Sequence, residues 1–204
     1  EGLELFEADS LRYALAASLP EQSDTDLSVE EIGRRINEEL VATWGNLVNR
    51  VLSMVHKTCD GAVPAADGRT AEDLAVLATV DAALVTVTDQ IERVELRAAL
   101  RTGMDAAASV NAYLNATEPW KLAKADPERA RVVLGTALAA VAGVRVALSP
   151  YLPFTTLALE DVFGPIDAWE RVEPTPGTPV SKPTPLYAKV DLDELLAGQP
   201  PTDQ

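Results

Sequence analysis

The sequence predicts an all-α protein, an antiparallel helical bundle followed by an extended C-terminal arm. Its 204 residues suit one or at most two domains, and 47% of them are apolar, which is enough for an ordinary core. Much of that apolar content is Ala, Leu and Val, and aromatic residues make up only 5%. Alanine and leucine lose little entropy on entering a helix. Apolar residues also recur every three or four positions, whereas alternating strand patterns are rare.

The N-terminal part of the chain predicts two helices. A short helix lies between about Glu7 and Pro20, and the polar connector EQSDTDLS follows it. Ser28 is a candidate N-cap, with Glu31 as its capping-box partner. A long helix then runs from Val29 to about Thr58. The apolar positions on these helices are Leu11, Leu15 and Leu19 in the first, and Ile32, Ile36, Leu40, Leu47, Val51 and Val55 in the second.

The middle of the chain predicts three further long helices. The segment CDGAVPAADGRT interrupts the pattern with glycine and proline, and a third helix begins near Thr70. An alanine-rich fourth helix spans about Arg93 to Leu114, and a short helix follows the proline at 119. A fifth long helix lies between Pro127, in its first turn, and Pro150. Residues 153–164 predict one more short helix.

The composition changes after Val172, where the sequence becomes rich in proline and threonine. EPTPGTPVSKPTP predicts an extended loop with no core of its own. LYAKVDLDELL then predicts a strand-like stretch or a short helix that returns to the body. We therefore divide the chain into a helical bundle over residues 1–172, whose residues 1–20 form a linking helix, and an arm over residues 173–204.

The net charge of −15 constrains the partners of the chain. Such a surface repels nucleic acid at long range, so any contact with nucleic acid requires a local face without that excess of acid. The N-terminus lacks the pattern of a signal peptide, and the absence of an uninterrupted run of 18 apolar residues predicts no membrane span. The chain starts in mid-pattern without an initiator Met, so we expect it to be part of something longer.

Catalytic, metal and cofactor sites find little support in the sequence. Cys59 is the only cysteine and His56 the only histidine, which excludes an internal disulfide and a cysteine-based zinc site. Neither a GxGxxG nor a P-loop pattern is present to bind ATP. Carboxylates are abundant, but none is marked as a buried acid–base pair. We therefore predict no catalytic residue, no metal and no cofactor in this chain, and a reducing, cytoplasmic location.

Trp120 is the first candidate for a binding site. It follows Glu118 and Pro119, where one helix must end and the next begin. An indole at such a junction can present its face to a ligand, and stacking of an unpaired base on it is worth roughly 1–3 kcal/mol. Alternatively, the ring packs over the core of the bundle, as most tryptophans are largely buried.

Asn46 and Arg50 are the second candidate, because they lie four residues apart on one face of the second helix. A guanidinium supplies donors and a carboxamide supplies both donor and acceptor, so together they can read the edge of an unpaired base. The alternative is a solvated polar stripe beside the core. Asn49, next to them, could equally be the polar contact.

A third feature is a region of near-neutral charge in an otherwise acidic chain. Arg93, Arg97 and Arg101 form an i, i+4, i+8 row on the predicted fourth helix, and Lys121 and Lys124 follow Trp120. A phosphate backbone could approach this region more easily than the rest of the surface. The alternative is a helix face joined by ion pairs.

Taken together, two blocks of sequence resemble the C-terminal part of methionyl-tRNA synthetases, which are class I enzymes. The first is FEADSLRYALAASLPEQSDTDLSVEEIGRRINEELVATWGNLVNRVLSMVHK, and the second is NAYLNATEPWKLAK. The family has a segment like ADSLRY after its catalytic domain, then a helix with a pattern like NLVNR, and a PW pair that opens a later helix. The resemblance covers residues 3 to about 170.

The resemblance implies an α-helical anticodon-binding domain of the class Ia type that recognises the CAU anticodon of methionine tRNA. Trp120 then stacks on the cytosine, and Asn46 and Arg50 contact the same base. ATP and methionine bind a catalytic domain that should lie upstream of Glu1, and the arm returns toward that domain. The implied partners are methionine tRNA and the catalytic domain of the same enzyme, with no DNA and no membrane.

Two other functions stay open on the sequence alone. The first is a helical protein-interaction bundle whose acidic surface engages a basic partner. The second is the equivalent domain of another class I synthetase, such as one for cysteine or a branched aliphatic amino acid.

Overall fold

The computed structural model describes residues 5–20 and 27–197, and within them it contains helices and a single isolated β-bridge, Ala62–Pro179. The all-α prediction is confirmed. Most of the polar connector and the last residues of the arm lie outside the described residues. The helices are α1 (Ala8–Ala17), α2 (Val29–Arg35), a π-helix (Ile36–Gly45), α3 (Asn46–Thr58), α4 (Ala71–Glu92), α5 (Leu96–Thr117), α6 (Pro119–Ala125), α7 (Pro127–Leu148), α8 (Pro153–Ala158), α9 (Glu160–Phe163) and α10 (Leu192–Ala197).

The predicted long helix from Val29 to Thr58 consists of three consecutive segments, α2, the π-helix and α3. Ser28 is the N-cap as predicted, since its side-chain oxygen accepts a hydrogen bond of 3.1 Å from the backbone N–H of Glu31. The predicted capping box is not formed, because the carboxylate of Glu31 pairs with Arg34 and Arg35. The middle ten residues are π-helical, with wider turns than the predicted α-helix. Apolar spacing does not distinguish the two geometries well over so short a segment.

Helix α7 is the centre of the core, and every residue from Val133 to Leu148 is buried. It packs against α3, α4, α5 and α6, while α4 and α5 form an antiparallel pair beside it. Small residues allow these close approaches: a Cβ atom added at Gly143 would lie 2.5 Å from Cγ1 of Val80 on α4. Alanine and glycine in α7 therefore set the short distances between helices.

Two helices, α4 and α7, are long and apolar enough to cross a membrane by length and composition alone. This differs from the expectation drawn from uninterrupted apolar runs. In α7, 89% of the apolar window is buried inside the bundle, as in the core helix of a folded domain, whereas the figure for α4 is 33%. The exposed side of α4 includes Leu74 and Val85.

Helix α1 attaches to the bundle through hydrogen bonds as well as through the buried residues Tyr13 and Ala14. The carboxylate of Asp9 accepts a hydrogen bond of 2.7 Å from the backbone N–H of Thr155, at the start of α8. Arg12 donates to the carbonyl oxygens of Pro150 and Tyr151, at the end of α7. The predicted apolar face was wrong in part, because Leu15 is 46% exposed while Tyr13 and Ala14 are buried.

A buried carboxylate joins the ends of three helices. Asp73 at the start of α4 accepts hydrogen bonds from the guanidinium of Arg129 on α7 and from the hydroxyl of Tyr113 on α5. It also forms a capping box with Thr70. Burial opposes the ionisation of Asp73, but the hydrogen bonds from Arg129 and Tyr113 hold its pKa well below the usual range. On α5, the network lies about one turn before the last residue of the helix, Thr117.

The arm runs back along the rod formed by α2, the π-helix and α3. The backbone N–H groups of Val63 and Val180 donate to the carbonyl oxygens of Thr178 and Gly61, at 2.9 and 2.7 Å. Further along, the buried ring of Tyr187 packs against the π-helix, where a Cβ atom at Gly45 would lie 3.1 Å from that ring. The last described residues of the arm form α10, which packs on α2.

Candidate nucleic-acid interface

The junction between α5 and α6 places Trp120 at the edge of the bundle. Glu118 has φ 45° and ψ 55°, a left-handed conformation that ends α5. Pro119 takes the first position of α6, where its fixed φ and missing N–H are favourable, and it is buried. Leu122, one turn on, packs against the core. Trp120, the second residue of α6, therefore faces outward.

Trp120 is 41% exposed, so its indole is not enclosed by the core. Cζ of Arg50 lies 4.8 Å from the centroid of the ring, within the range of a cation–π contact. Nη2 of Arg50 also donates a hydrogen bond of 2.8 Å to Oδ1 of Asn115 on the last turns of α5. Three helices thus fix a flat cation beside an exposed aromatic ring, an arrangement suited to a planar ligand.

Asn46 lies one turn before Arg50 on the same face of α3 and is exposed. Its carboxamide forms no hydrogen bond with any residue that the structure describes. The structure therefore brings Arg50 and Trp120 into contact, and Asn46 lies one turn away on the face of α3 that carries Arg50. Its amide remains available to a ligand on this face.

A groove continues this surface away from the ring, between the rod and the arm. Its volume is about 360 Å³, and Asn46 and Asn49 form one wall of it while Tyr187 and Lys189 of the arm form the other. The sequence did not indicate Asn115 as a neighbour of Arg50, nor the arm residues as neighbours of Asn46 and Asn49. Such contacts join residues 65 or more positions apart, and local sequence patterns do not predict them.

The predicted basic row is not part of this site. Arg93 caps the end of α4 and does not belong to α5, and it pairs with Glu95 at 3.2 Å. Arg101 pairs with Asp105 at 3.8 Å, which agrees with the alternative interpretation of a helix face joined by ion pairs. From Arg101 to the end of α5 is a distance of about 24 Å, at 1.5 Å per residue. The row therefore lies near the far end of the bundle from Trp120.

Lys121 and Lys124 lie on α6, close to the ring. Lys121 pairs with Glu118 at 2.7 Å, while Lys124 is exposed and has no ion-pair partner among the residues in 5–20 and 27–197. Only part of the predicted positive charge is thus free at this site.

The described residues offer no clear site for nucleophilic catalysis or for metal binding. Burial raises the pKa of the Cys59 thiol to about 11, so the thiol stays protonated near neutral pH and is a poor nucleophile. Nδ1 of His56 lies 2.8 Å from the carbonyl oxygen of Val180, where it supports the arm. In the part of the chain that the structure describes, no three His, Cys, Asp or Glu residues form a possible metal site. The site by Trp120 can stack and hydrogen-bond a ligand.

Two family models match the chain. The model described as the anticodon binding domain of methionyl tRNA ligase matches residues 63–196, and the model described as tRNA synthetases class I (M) matches residues 1–52. Both models name methionine enzymes, which favours this family over the synthetases for cysteine or branched aliphatic amino acids.

Known relatives and solved structures agree with these models. The chain is 37% identical to a methionine–tRNA ligase of Thermobifida fusca (strain YX) and 38% identical to one of Nocardioides sp. (strain ATCC BAA-499 / JS614). Each alignment covers 96% of this chain and 38% of the relative. The crystal structure of the apo form of Mycobacterium tuberculosis methionyl-tRNA synthetase superposes with a TM-score of 0.83 at 30% identity, over 97% of this chain and 40% of that one.

The chain spans about 38% of the length of these relatives, and both the sequence and the fold correspond to their anticodon-binding region. The chain therefore belongs to the methionyl-tRNA synthetase family, of which it carries the anticodon-binding domain.

Proposed function

We propose that this chain recognises the CAU anticodon of methionine tRNA, with Trp120 stacking on the cytosine and with Arg50 and Asn46 contacting the edge of the same base. The observation that carries this proposal is the guanidinium of Arg50 held against a 41% exposed indole by Asn115. A single-stranded loop can present an unpaired base to such a surface, whereas a duplex cannot.

The types of side chain suit cytosine in particular. Cytosine presents acceptors at its ring nitrogen and O2 and a donor at its exocyclic amine, so guanidinium donors and the carbonyl oxygen of a carboxamide can both be satisfied. Uracil presents an N–H donor and an acceptor at the corresponding positions, which would leave polar groups unpaired. An unpaired polar group costs about 1–3 kcal/mol, so the site discriminates between two pyrimidines of similar shape.

We also propose that the whole protein charges methionine tRNA in the cytoplasm, using ATP and methionine bound by a catalytic domain outside this chain. The names of the relatives, which are methionine–tRNA ligases, support this proposal. Helix α1, which falls in the matched class I segment, and the arm are the parts of this chain that we expect to contact the catalytic domain. The partner chemistry is RNA, and we propose no DNA or membrane partner.

The test compares binding of RNA hairpins that carry CAU or an altered anticodon in the loop. Loss of one base stack is worth roughly 1–3 kcal/mol, so Trp120→Ala should weaken binding of the CAU hairpin about 5- to 150-fold. Trp169→Ala is a matched control, because Trp169 is 39% exposed on another part of the surface. Fluorescence anisotropy of labelled RNA at a stated salt concentration gives the dissociation constants.

Equal effects of the two tryptophan variants, or no preference of the wild-type chain for CAU, would refute the proposal. In the full-length enzyme, Trp120→Ala should reduce aminoacylation while methionine activation without tRNA stays near normal. The alternative function, an acidic bundle that binds a basic protein, would be favoured if the chain bound none of the hairpins.

A further inference from the structure

One side of α4 exposes large apolar residues to the solvent. The opposite side of the helix is buried against the bundle, but Leu74 is 55% exposed and Val85 is 65% exposed. Ala78 and Ala82, which are also exposed, lie between them. At 3.6 residues per turn, these four residues fall within about 80° around the helix and span about 16 Å along it. A continuous apolar stripe of this kind is typical of an interaction surface.

Trp169 extends this face of α4 and forms a groove with it. Nε1 of Trp169 donates a hydrogen bond of 3.3 Å to the carbonyl oxygen of Leu84, so the indole lies on the helix. The groove has a volume of about 450 Å³, and Val85 and Thr88 also line it. Because the indole N–H is already paired, the part of the ring that faces solvent offers apolar contact to a ligand.

The threonine hydroxyl groups on this face are bonded within the helix. Thr79 donates to the carbonyl oxygen of Ala75, and Thr86 donates to that of Ala82, both at 3.0 Å. A hydroxyl that is bonded in this way has no donor left for a ligand, and its methyl group remains. The exposed face of α4 therefore suits an apolar partner better than a polar one.

Carboxylates lie at the edge of this face, and α4 contains no lysine or arginine. Asp81, Asp89 and Glu170 line the groove. Arg171 lines it too, but its guanidinium is paired with Asp81 at 2.8 Å and with Glu173 at 2.7 Å. Asp89 and Glu170 form no ion pair within the part of the chain that the structure describes. An apolar face with unpaired carboxylates at its edge is complementary to a basic amphipathic helix.

The same charge excludes the other occupants of an apolar face. Two copies of α4 would place carboxylates against carboxylates, and an anionic lipid surface or a nucleic acid would meet the same repulsion. We propose that this face of α4, together with Trp169, binds a basic amphipathic helix of another protein. The apolar side chains of that helix pack on Leu74, Val85 and Trp169, and its cations pair with Asp89 and Glu170. This surface shares no residue with the Trp120 site, so RNA and the partner protein bind independently.

The probe for this surface is a fluorescein-labelled synthetic helix of leucine and lysine, with leucines at i, i+3, i+4 and i+7. Fluorescence anisotropy with the full-length enzyme gives its dissociation constant at a stated salt concentration. Two control peptides have either the same composition in an order without an apolar face, or glutamate in place of lysine. The amphipathic basic peptide should bind at least about tenfold more tightly than either control, since only it matches both the stripe and the carboxylates.

Substitutions on the face should weaken binding of this peptide. Val85→Ser should weaken it about 5- to 10-fold, because one apolar side chain is no longer buried by the partner. Trp169→Ala should weaken it about 10- to 100-fold, as expected for a central aromatic residue. Val94→Ser is the matched control, since Val94 is exposed beyond the end of α4 and does not line the groove. This variant should bind as the wild type does.

Two further variants separate the contributions of charge and of RNA binding. Asp89→Asn should make peptide binding less sensitive to salt, because one carboxylate at the edge of the face is neutralised. Trp120→Ala should bind the peptide as the wild type does, while Val85→Ser should bind the CAU hairpin as the wild type does. Failure of the hairpin experiment would therefore count against the proposed function and leave this surface untouched.

Several results would overturn the proposal. They are equal peptide binding by Val85→Ser and Val94→Ser, and a control peptide that binds as tightly as the amphipathic basic one. If this chain alone binds the peptide but the full-length enzyme does not, another part of the enzyme covers α4 instead. Binding of anionic lipid vesicles, or self-association that Val85→Ser abolishes in analytical ultracentrifugation, would assign the face to a membrane or to a second copy. Circular dichroism confirms that each variant is folded.

Discussion

Substitution of the buried carboxylate Asp73 by Asn should destabilise the bundle strongly. The side chain of Asp73 is 0% exposed and pairs with Arg129, whose side chain is 23% exposed. Removal of one partner of a buried ion pair costs roughly 3–5 kcal/mol, and the partial exposure of Arg129 lowers this to about 2–4 kcal/mol. At roughly 2–4 °C per kcal/mol for a chain of this size, the melting temperature should fall by about 5–15 °C.

The loss of unfolding free energy in Asp73→Asn should also depend on pH, because the pKa of Asp73 is lower in the folded than in the unfolded chain. An unfolded aspartate titrates near pH 3.9. The stability that Asp73 contributes is therefore complete above that value, and it is lost as the pH falls through it toward the lower folded pKa. The difference in unfolding free energy between wild type and Asp73→Asn should shrink on acidification from about pH 7 to about pH 3.5.

Urea denaturation followed by far-UV circular dichroism measures the loss of unfolding free energy in Asp73→Asn and its dependence on pH. The slope of unfolding free energy against urea concentration should be the same in the variant and the wild type. Asp60→Asn is the control, since Asp60 and Arg131 pair at 3.0 Å with side chains that are 86% and 48% exposed. An exposed pair of this kind contributes about 0–1 kcal/mol. Equal costs for the two variants, or a cost for Asp73→Asn that does not vary with pH, would refute the role assigned to the buried network.

Two further predictions concern salt and packing. Lys121 and Lys124 on α6 are the cations expected to meet phosphates. The logarithm of the association constant should therefore fall with the logarithm of salt concentration at a slope of about 1.4, at roughly 0.7 per contact with a single strand. A slope of about 6 would show that a larger basic surface binds the RNA. Gly143→Ala should lower the unfolding free energy by roughly 1–3 kcal/mol, because its Cβ atom would press on Val80 and Arg171. A urea midpoint equal to that of the wild type would show that α4 and α7 can separate at no cost.

Local features of the helices were predictable because they depend on neighbours in sequence. The hydroxyl of Ser28 and the N–H of Glu31 are three residues apart, so the cap follows from the sequence alone. The same holds for the junction at Pro119, where a residue without an N–H starts a helix. The π-helix from Ile36 to Gly45 was not predictable, because its apolar residues also fit an α-helix.

The fourth helix shows why a charge pattern misled the prediction. Arg93 has the right spacing to share a face with Arg97, but the chain turns between them, since Val94 adopts a left-handed conformation with φ 60°. Spacing implies a shared face only where the helix is continuous. A left-handed residue that is not glycine gives no signal in the sequence.

The sequence by itself determined the all-α class, the helix breaks and the kinds of side chain that the site offers, because composition, apolar period and capping act over a few residues. Only the tertiary structure decided that Arg50 lies on Trp120, that Asn115 holds it there, and that the arm forms a groove with Asn49. Those neighbours are 65 or more residues apart in the sequence, and they come into contact only through the packing of the helices around α7.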